Sequence, residues 1–303
     1  MYKNFEELLV KIKAKQERKR VAVVWANEDH TLEAVLKAYK EGIIDPILIG
    51  DGQDISYRLE KLGCSNSFNI ITVKTPLDAI DVAIKLVKEN KADIILKGLI
   101  ETADIMKAIV KKENALCERG VMSHLSLVEI PNYYKLIGIT DCALLMYPTL
   151  EQKKLAICNA VEFLTSTGFK DIKVAVLAAV EKVNPKMPET VDANQLKVMC
   201  QEGEIPGCQV EGPISYDLAM KPGAAAIKGF DSAVAGNPDL LVVPNIVAGN
   251  ILVKCLTCSA KARSAGLILG AKVPIIITSR SSSVQNKYLS IVIASAIGLN
   301  LPG

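Results

Sequence analysis

Short apolar runs alternate along the chain with longer stretches in which apolar residues recur every three or four positions. Val21–Trp25 and Asp93–Leu96 have the length and composition of buried strands, whereas Thr31–Glu41 has the spacing of an amphipathic helix. Thr75 followed by Pro76 predicts a helix with a threonine cap and proline at its first position. Apolar strands that alternate with helices favour a parallel sheet covered on both faces.

The middle third of the chain has a different pattern. Leu125–Ile130, Tyr134–Ile139 and Ala143–Met146 are strand-like runs that follow one another too closely for helical crossovers, which predicts a local antiparallel part. Alternation then resumes, and the predicted elements are helix Glu151–Thr167, strand Lys173–Ala179, helices Asp192–Gln201 and Asp217–Ala226, strand Leu240–Val243, helix Ala248–Ala262, strand Pro274–Thr278 and helix Val284–Gly298. The predicted fold class is therefore α/β, with mostly parallel sheets flanked by helices.

Composition and charge limit the classes of molecule that this protein is expected to bind. The chain has 303 residues, of which 50% are hydrophobic and 23% charged, so it can bury a large core, and its length favours two domains. A net charge of +3 and only 5% aromatic residues argue against a nucleic-acid partner. The basic run Lys11–Arg20 is interpreted as a solvated helix end.

No apolar run approaches the ~18 residues that a membrane span needs, and the N-terminal segment is not typical of a signal peptide. We therefore expect no membrane association and a cytoplasmic location, where thiols stay reduced. The eight cysteines are expected to be buried and free. Cys255 and Cys258 have CxxC spacing inside a predicted helix, and with only His30 and His124 available no metal site is expected.

Nucleotide-binding motifs of the GxGxxG and GxxxxGK[ST] type are absent from the sequence, as is GxSxG. The most suggestive segment is the Ser/Arg-rich turn after the strand that ends at Thr278. Ser279 and Arg280 precede a helix there, where free amides, hydroxyls and a forked guanidinium favour an anion such as phosphate. An ordinary capping turn, with Ser282 or Ser283 as cap and Arg280 in solvent, explains the same pattern.

Other candidates also lie next to predicted strand ends. Asn245 and Asn250 offer donors and acceptors to a ligand or only to turn amides, and Gly249 would let a ligand approach the backbone. Asp217 is either a base or a first-turn carboxylate that the helix dipole favours. The remaining candidates are Ser123 with His124, which is either a structural or a functional histidine, and Thr102 with Lys107 on a helix that begins near any anion bound there.

Taken together and in order, several segments resemble the phosphate acetyl/butyryltransferase family. Each segment is weak alone, but their order along nearly the whole chain is specific. They are Lys97-Gly98 with Thr102–Asp104, Ser123-His124, Leu136–Ala143, Lys173–Glu181, Met187–Thr190, Glu211–Pro213 with Asp217, Pro244–Asn250 and Thr278–Arg280.

The resemblance implies reversible transfer of a short-chain acyl group between acyl-CoA and orthophosphate, with no metal or other cofactor. It also implies two α/β domains, 1–128 with 270–303 and 129–269, in a fold like that of the isocitrate/isopropylmalate dehydrogenases. The active site would lie in the interdomain cleft, and the enzyme would form a homodimer or larger homo-oligomer.

The resemblance also implies residue roles. Arg280 would hold phosphate with help from Lys107, and Ser279 would donate to the oxyanion that forms during transfer. Acidic residues that family members carry in this turn are replaced by Ser282 and Asn286. The base that deprotonates the CoA thiol is therefore unassigned, with Asp217 or simple equilibrium with thiolate as the options.

Three alternatives stay open at this point. The acyl group could be acetyl. A dehydrogenase on the same fold would need a cofactor site and a metal-binding carboxylate cluster, which the sequence does not indicate. A protein that binds acyl-CoA or phosphate without turnover would explain the replacements at Ser282 and Asn286.

Overall fold

The structure is a computed structural model that describes residues 2–64, 68–117, 120–279 and 282–299. It divides into two compact units. We call Glu6–Gly120 with Ala265–Leu299 the outer unit, and Val121–Ser264, joined by the N-terminal residues through Phe5, the middle unit. The boundaries predicted at 128/129 and 269/270 both fall later in the chain than these divisions. For the first boundary, the strand that begins at Ser123 pairs with its antiparallel neighbour in the middle unit.

The outer unit is built on a mostly parallel sheet. Its strands follow the order β3-β2-β1-β4-β11-β10, in which only β10 runs antiparallel to its neighbour. The elements are α1 (Phe5–Ala14), β1 (Lys19–Val24), α2 (Asp29–Lys40), β2 (Ile44–Gly50), α3 (Gly52–Lys61), β3 (Asn69–Thr72), α4 (Pro76–Lys88), β4 (Ile94–Lys97), α5 (Thr102–Ile109), β10 (Arg263–Leu269), β11 (Ile275–Ile276) and α11 (Val284–Ser295).

The strands of the middle unit follow the order β5-β6-β9-β7-β8. β5 runs antiparallel to β6 and the other pairs are parallel, which confirms the predicted antiparallel part. The elements are β5 (Ser123–Glu129), β6 (Ile137–Thr140), α6 (Leu150–Ser166), β7 (Ile172–Leu177), α7 (Pro188–Gln201), β8 (Cys208–Ile214), α8 (Tyr216–Met220), α9 (Ala224–Lys228), β9 (Leu240–Val242) and α10 (Ile246–Cys258).

The structure corrects several predicted elements. Ala143–Met146 is not a strand but a series of bends. The predicted helix Asp217–Ala226 is split into α8 and α9, because Pro222 and Gly223 interrupt it. The sequence analysis missed β8, because Gly212-Pro213 is typical of a turn. β8 is the last strand in the order of its unit and carries a register shift against β7, a position where proline is tolerated.

The structure also bears on the predictions made for the α4 cap, the cysteines and membrane spans. Thr75 caps α4 through a reciprocal capping box with Asp78. The eight cysteines are free, as predicted, but only Cys64 and Cys142 are buried. Four others are partly buried, and the prediction of burial is wrong for Cys255 and Cys258, which are exposed on α10. Within the described ranges, none of the helices combines the length and the apolar character that a membrane-spanning segment needs.

Candidate active site

Polar side chains gather where the parallel strands of each unit end. In an open α/β sheet, ligands bind outside the carboxyl ends of the strands. In the outer unit this edge carries Glu28 after β1, Lys97 and Gly98 at the end of β4, and Thr278 and Ser279 after β11. Lys97 is buried, and its Nζ lies 3.4 Å from the carbonyl oxygen of Gly98.

A buried lysine fixes the residue that precedes Ser279. Lys287 on α11 is only 2% exposed, and its Nζ lies 3.3 Å from both Thr278 Oγ1 and Glu28 Oε2. The hydroxyl of Thr31 donates to the same oxygen of Glu28. The end of β11 is thereby tied to α2 and α11, and the exposed Ser279 follows directly. The sequence analysis missed Lys287, although its being the one charged residue in α11 was the available signal.

Ser283 caps the N-terminus of α11. The amide of Ser282 donates to the Ser279 carbonyl oxygen over 3.0 Å, and Ser283 Oγ accepts from the amide of Asn286 over 3.2 Å. This confirms the capping interpretation for Ser283. Arg280 lies outside the described residues, so its role in holding an anion stays a prediction.

Thr102 and Lys107 are both exposed on α5. Thr102 begins the helix, and Lys107 lies in its last turn, where a cation also complements the helix dipole. The two side chains are about 140° apart around the helix axis, given 3.6 residues per turn. The structure therefore does not bring Thr102 and Lys107 to one face of α5.

In the middle unit, the polar groups converge around a buried aspartate that directly follows β6. Asp141 is 4% exposed, and one carboxylate oxygen accepts from the amide of His124 over 2.6 Å. The other oxygen accepts from the amides of Ala143 and Leu144 over 3.0 and 2.7 Å. These bonds explain why the predicted strand Ala143–Met146 bends instead. The sequence analysis assigned Asp141 no role, although an aspartate at the end of an apolar strand was a visible signal.

His124 lies at the same edge of the sheet, because β5 runs antiparallel to β6 and Leu125 pairs with Thr140. His124 is partly buried, and its Nδ1 lies 3.2 Å from the Sγ atom of the buried Cys142. Burial lowers the pKa of His124, which the nearby Asp141 only partly opposes. Burial also raises the pKa of the Cys142 thiol. At neutral pH the pair is therefore a neutral imidazole and a protonated thiol.

The adjacent Ser123 has a structural environment. It is 1% exposed, and its hydroxyl accepts from Asn159 Nδ2 over 3.2 Å. In this structure Ser123 therefore joins β5 to α6 and presents no surface to a substrate.

Asn245 and Asn250 lie at either end of the first turn of α10. Asn245 Oδ1 accepts from the amide of Ala248 over 3.1 Å, so the interpretation that it satisfies turn amides is confirmed. Asn250 Nδ2 lies 3.4 Å from the carbonyl oxygen of Cys142 and connects α10 to the loop after β6.

Gly249 lets α10 approach that loop. A Cβ atom on Gly249 would lie 2.9 Å from both the Asp141 carbonyl oxygen and the Cys142 Cα. The expectation that this glycine admits a ligand is wrong, because the protein's own backbone fills the space.

Gly249→Ala is therefore expected to destabilise the protein by about 1–3 kcal/mol, the usual cost of overpacking. Gly223→Ala is the matched control, since a Cβ atom there meets nothing within 4 Å. The free energy of unfolding in urea measures both. Equal stability of the two variants would contradict the close approach.

Asp217 lies on the surface with other polar groups. Its carboxylate is half-exposed and 3.5 Å from Lys228 Nζ, and hydrogen bonding from Ser215, followed by the charge of Lys228, lowers its pKa. The single hydroxyl proton of Ser215 is shared between Asp217 and Glu181, and Glu181 pairs with Lys228 over 2.9 Å. A lowered pKa makes a carboxylate a weaker base, so this environment does not favour Asp217 for deprotonating a thiol.

The polar edges are typical of α/β proteins that bind ligands at the carboxyl ends of their strands. The described residues contain no group of three or more His, Cys, Asp or Glu that could hold a metal ion. The polar groups at the strand ends include hydrogen-bond donors, which are suited to binding an anion or a carbonyl oxygen.

Comparison with known proteins gives the family. The family profile for phosphate acetyl/butaryl transferase matches residues 65–295, and the chain belongs to this family. The resemblance inferred from the ordered sequence segments is thus confirmed.

Individual relatives match along almost their whole length. A phosphate butyryltransferase of Clostridium acetobutylicum is 38% identical over 301 residues, which cover 99% of this chain and 100% of the relative. A phosphate acetyltransferase of Thermotoga maritima is 40% identical over 291 residues, covering 96% and 99%. The crystal structure of a branched-chain phosphotransacylase from Enterococcus faecalis V583 superposes with a TM-score of 0.79 at 30% identity, covering 92% and 99%. The predicted α/β fold with mostly parallel strands is confirmed.

Proposed function

We propose that the chain is a phosphate butyryltransferase, which catalyses butyryl-CoA + phosphate = butyryl phosphate + CoA in both directions. The observation that carries the proposal is the 38% identity to a phosphate butyryltransferase over 99% of the chain and the whole of that relative. The similarity to a phosphate acetyltransferase at 40% identity supports the same reaction with a shorter acyl group as the second candidate.

The chemistry requires positioning more than activation. Orthophosphate is already an anion at neutral pH, so as a nucleophile it needs to be held against the thioester carbon with its charge partly neutralised. We propose Arg280 and Lys107 as the cations that hold it. Ser279 would donate to the carbonyl oxygen as it becomes an oxyanion. This role of Ser279 is supported by its exposed position directly after Thr278, whose side chain contacts the buried Lys287.

The CoA thiol needs little acid catalysis to leave. A thiol of pKa ~8.5 is a good leaving group as thiolate, so the forward reaction requires only weak acid assistance. Ser282 and Asn286 supply no carboxylate in the turn before α11, and the lowered pKa of Asp217 argues against it as the base of the reverse reaction. We propose that thiolate from bulk equilibrium is sufficient.

The finer expectations rest on the family resemblance. They are the likeness to isocitrate/isopropylmalate dehydrogenases with the cleft it implies, the roles of Thr102, Asn245 and Asn250 in substrate binding, the homo-oligomer, the cytoplasmic location and the absence of a cofactor. Each stays a prediction.

The test is phosphate-dependent release of CoA. We expect purified protein to liberate free thiol from butyryl-CoA only when phosphate is present, with acetyl-CoA as the comparison substrate. Arsenate in place of phosphate should give continuous hydrolysis, because acyl arsenates decompose in water. No thiol release with any short-chain acyl-CoA would overturn the proposal. A higher kcat/KM for acetyl-CoA than for butyryl-CoA would show that the preferred acyl group is acetyl.

A further inference from the structure

The contact between His124 and Cys142 has no role in the reaction outlined above. Three separate contacts hold this histidine. Its amide donates to Asp141 over 2.6 Å, its carbonyl oxygen accepts from Thr140 Oγ1 over 3.0 Å, and its Nδ1 lies 3.2 Å from Cys142 Sγ. Both backbone groups and one ring nitrogen are therefore fixed, which determines where the other ring nitrogen points.

The contact with Cys142 also selects the tautomer of the ring. A thiol is a weak donor and a weaker acceptor, whereas an unprotonated imidazole nitrogen is a good acceptor. The other acceptor near this thiol, the Ile139 carbonyl oxygen, is more distant at 3.8 Å. In the arrangement proposed below, the S–H group of Cys142 donates to the nearer Nδ1, and the single proton of the neutral imidazole is on Nε2.

Nε2 lies on the ring edge away from the buried thiol. Cys142 is 3% exposed, whereas His124 is partly exposed, and Nε2 is not among the fully buried side-chain atoms that lack a partner. Among the described residues of the middle unit, Nε2 has no hydrogen-bond partner. It lies at the edge where β6 ends, the place at which open α/β sheets bind their ligands.

We propose that Nε2–H of His124, oriented by the Cys142 thiol, donates a hydrogen bond to the thioester carbonyl oxygen of the acyl-CoA. The proposal rests on the proposed function. A phosphate oxygen bonds to the thioester carbon, the C=O electron pair becomes an oxyanion that accepts from Nε2–H, and collapse of the oxyanion expels the CoA thiolate. No proton leaves the imidazole at any step. His124 is thus a donor to the oxyanion and not a general base, and Cys142 is a positioning residue.

Two pairs of variants separate the roles. His124→Gln can present an amide N–H near the position of Nε2, whereas His124→Asn presents it near Nδ1. We expect kcat to fall about 100-fold in His124→Asn, the usual effect of losing one oxyanion donor, and less than tenfold in His124→Gln. Cys142→Ser keeps a donor to Nδ1 and should lose no more than about threefold, whereas Cys142→Ala should lose about tenfold in kcat with an unchanged KM for phosphate.

The tautomer is measured directly by long-range ¹H–¹⁵N correlation of histidine in the full-length protein. The chain has only two histidines, and the exposed His30 is assigned with His30→Gln, which also controls for turnover. We expect the wild-type His124 signal to show the Nε2-protonated form, and Cys142→Ala to populate both forms. The Nδ1-protonated form in the wild type, or equal kcat in His124→Gln and His124→Asn, would overturn the proposal.

Failure of this proposal is distinguishable from failure of the function. A wild-type protein that releases no CoA overturns the function and the donor role together, whereas an active wild type with active His124→Asn overturns only the donor role. Thermal unfolding of each variant checks folding. If His124→Asn does not fold, the kcat values of the Cys142 variants and the measured tautomer of His124 test the donor role instead.

Discussion

Asp239→Ala is expected to lower the free energy of unfolding by about 3–5 kcal/mol, the usual cost of removing one partner of a buried ion pair. Asp239 and Lys135 are 1% and 0% exposed, and the Lys135 Nζ atom lies 2.7 Å from Asp239 Oδ1. The other carboxylate oxygen accepts from the amide of Lys173 over 2.9 Å. Burial lowers the pKa of Lys135, and the hydrogen bond and charge of Asp239 oppose this. The alanine therefore leaves a buried ammonium group without its counter-charge, with only the uncharged oxygens of Asn237 as recorded hydrogen-bond acceptors.

Urea denaturation of the full chain measures this effect. Lys85→Ala is a matched control, because Lys85 and Glu89 form an exposed pair at 3.9 Å whose contribution is about 0–1 kcal/mol. The double variant Lys135→Met/Asp239→Leu should be more stable than Asp239→Ala, since it leaves no buried charge unpaired. If Asp239→Ala unfolds at the same urea concentration as Lys85→Ala, the pair does not stabilise the middle unit.

The predictable part of the fold was the part that local sequence encodes. Apolar runs of strand length between helical stretches were sufficient for the parallel sheets, and Thr75-Pro76 was sufficient for the cap of α4. Prediction failed where a tertiary contact overrides the local pattern. Ala143–Met146 has strand-like composition, but the carboxylate of Asp141 binds the amides of Ala143 and Leu144 and bends the chain.

The candidate site was predictable in position but not in its contacts. Ser279 and Asn245 could be placed from the rule that parallel strands present their carboxyl ends at one edge. The contact of Lys287 with Glu28 joins residues 259 positions apart, which no local pattern indicates. The contact of His124 with Cys142 was easier to predict from the sequence. Antiparallel pairing of the predicted strands places the start of one strand beside the end of the other.

Ser279→Ala is expected to lower kcat by about 100- to 1000-fold in the release of CoA from butyryl-CoA, if its hydroxyl donates to the oxyanion. The KM values for butyryl-CoA and phosphate should change little, because that hydrogen bond strengthens only in the transition state. The variant should fold normally, since Ser279 is exposed and its carbonyl oxygen, which accepts from the amide of Ser282, is retained.

Ser282→Ala is the matched control, because it removes a hydroxyl from the same turn while Ser283 still caps α11. We expect its kcat to stay within about twofold of wild type, as is usual for substitutions away from special features. A serine that only shaped the turn would affect kcat and KM together in Ser279→Ala, and turnover within threefold of wild type would remove Ser279 from the reaction. Lys287 contacts the side chain of Thr278, so the Ser279 hydroxyl is attached to a strand end that is held in place. A donor held in position in this way is expected to affect kcat and not substrate binding.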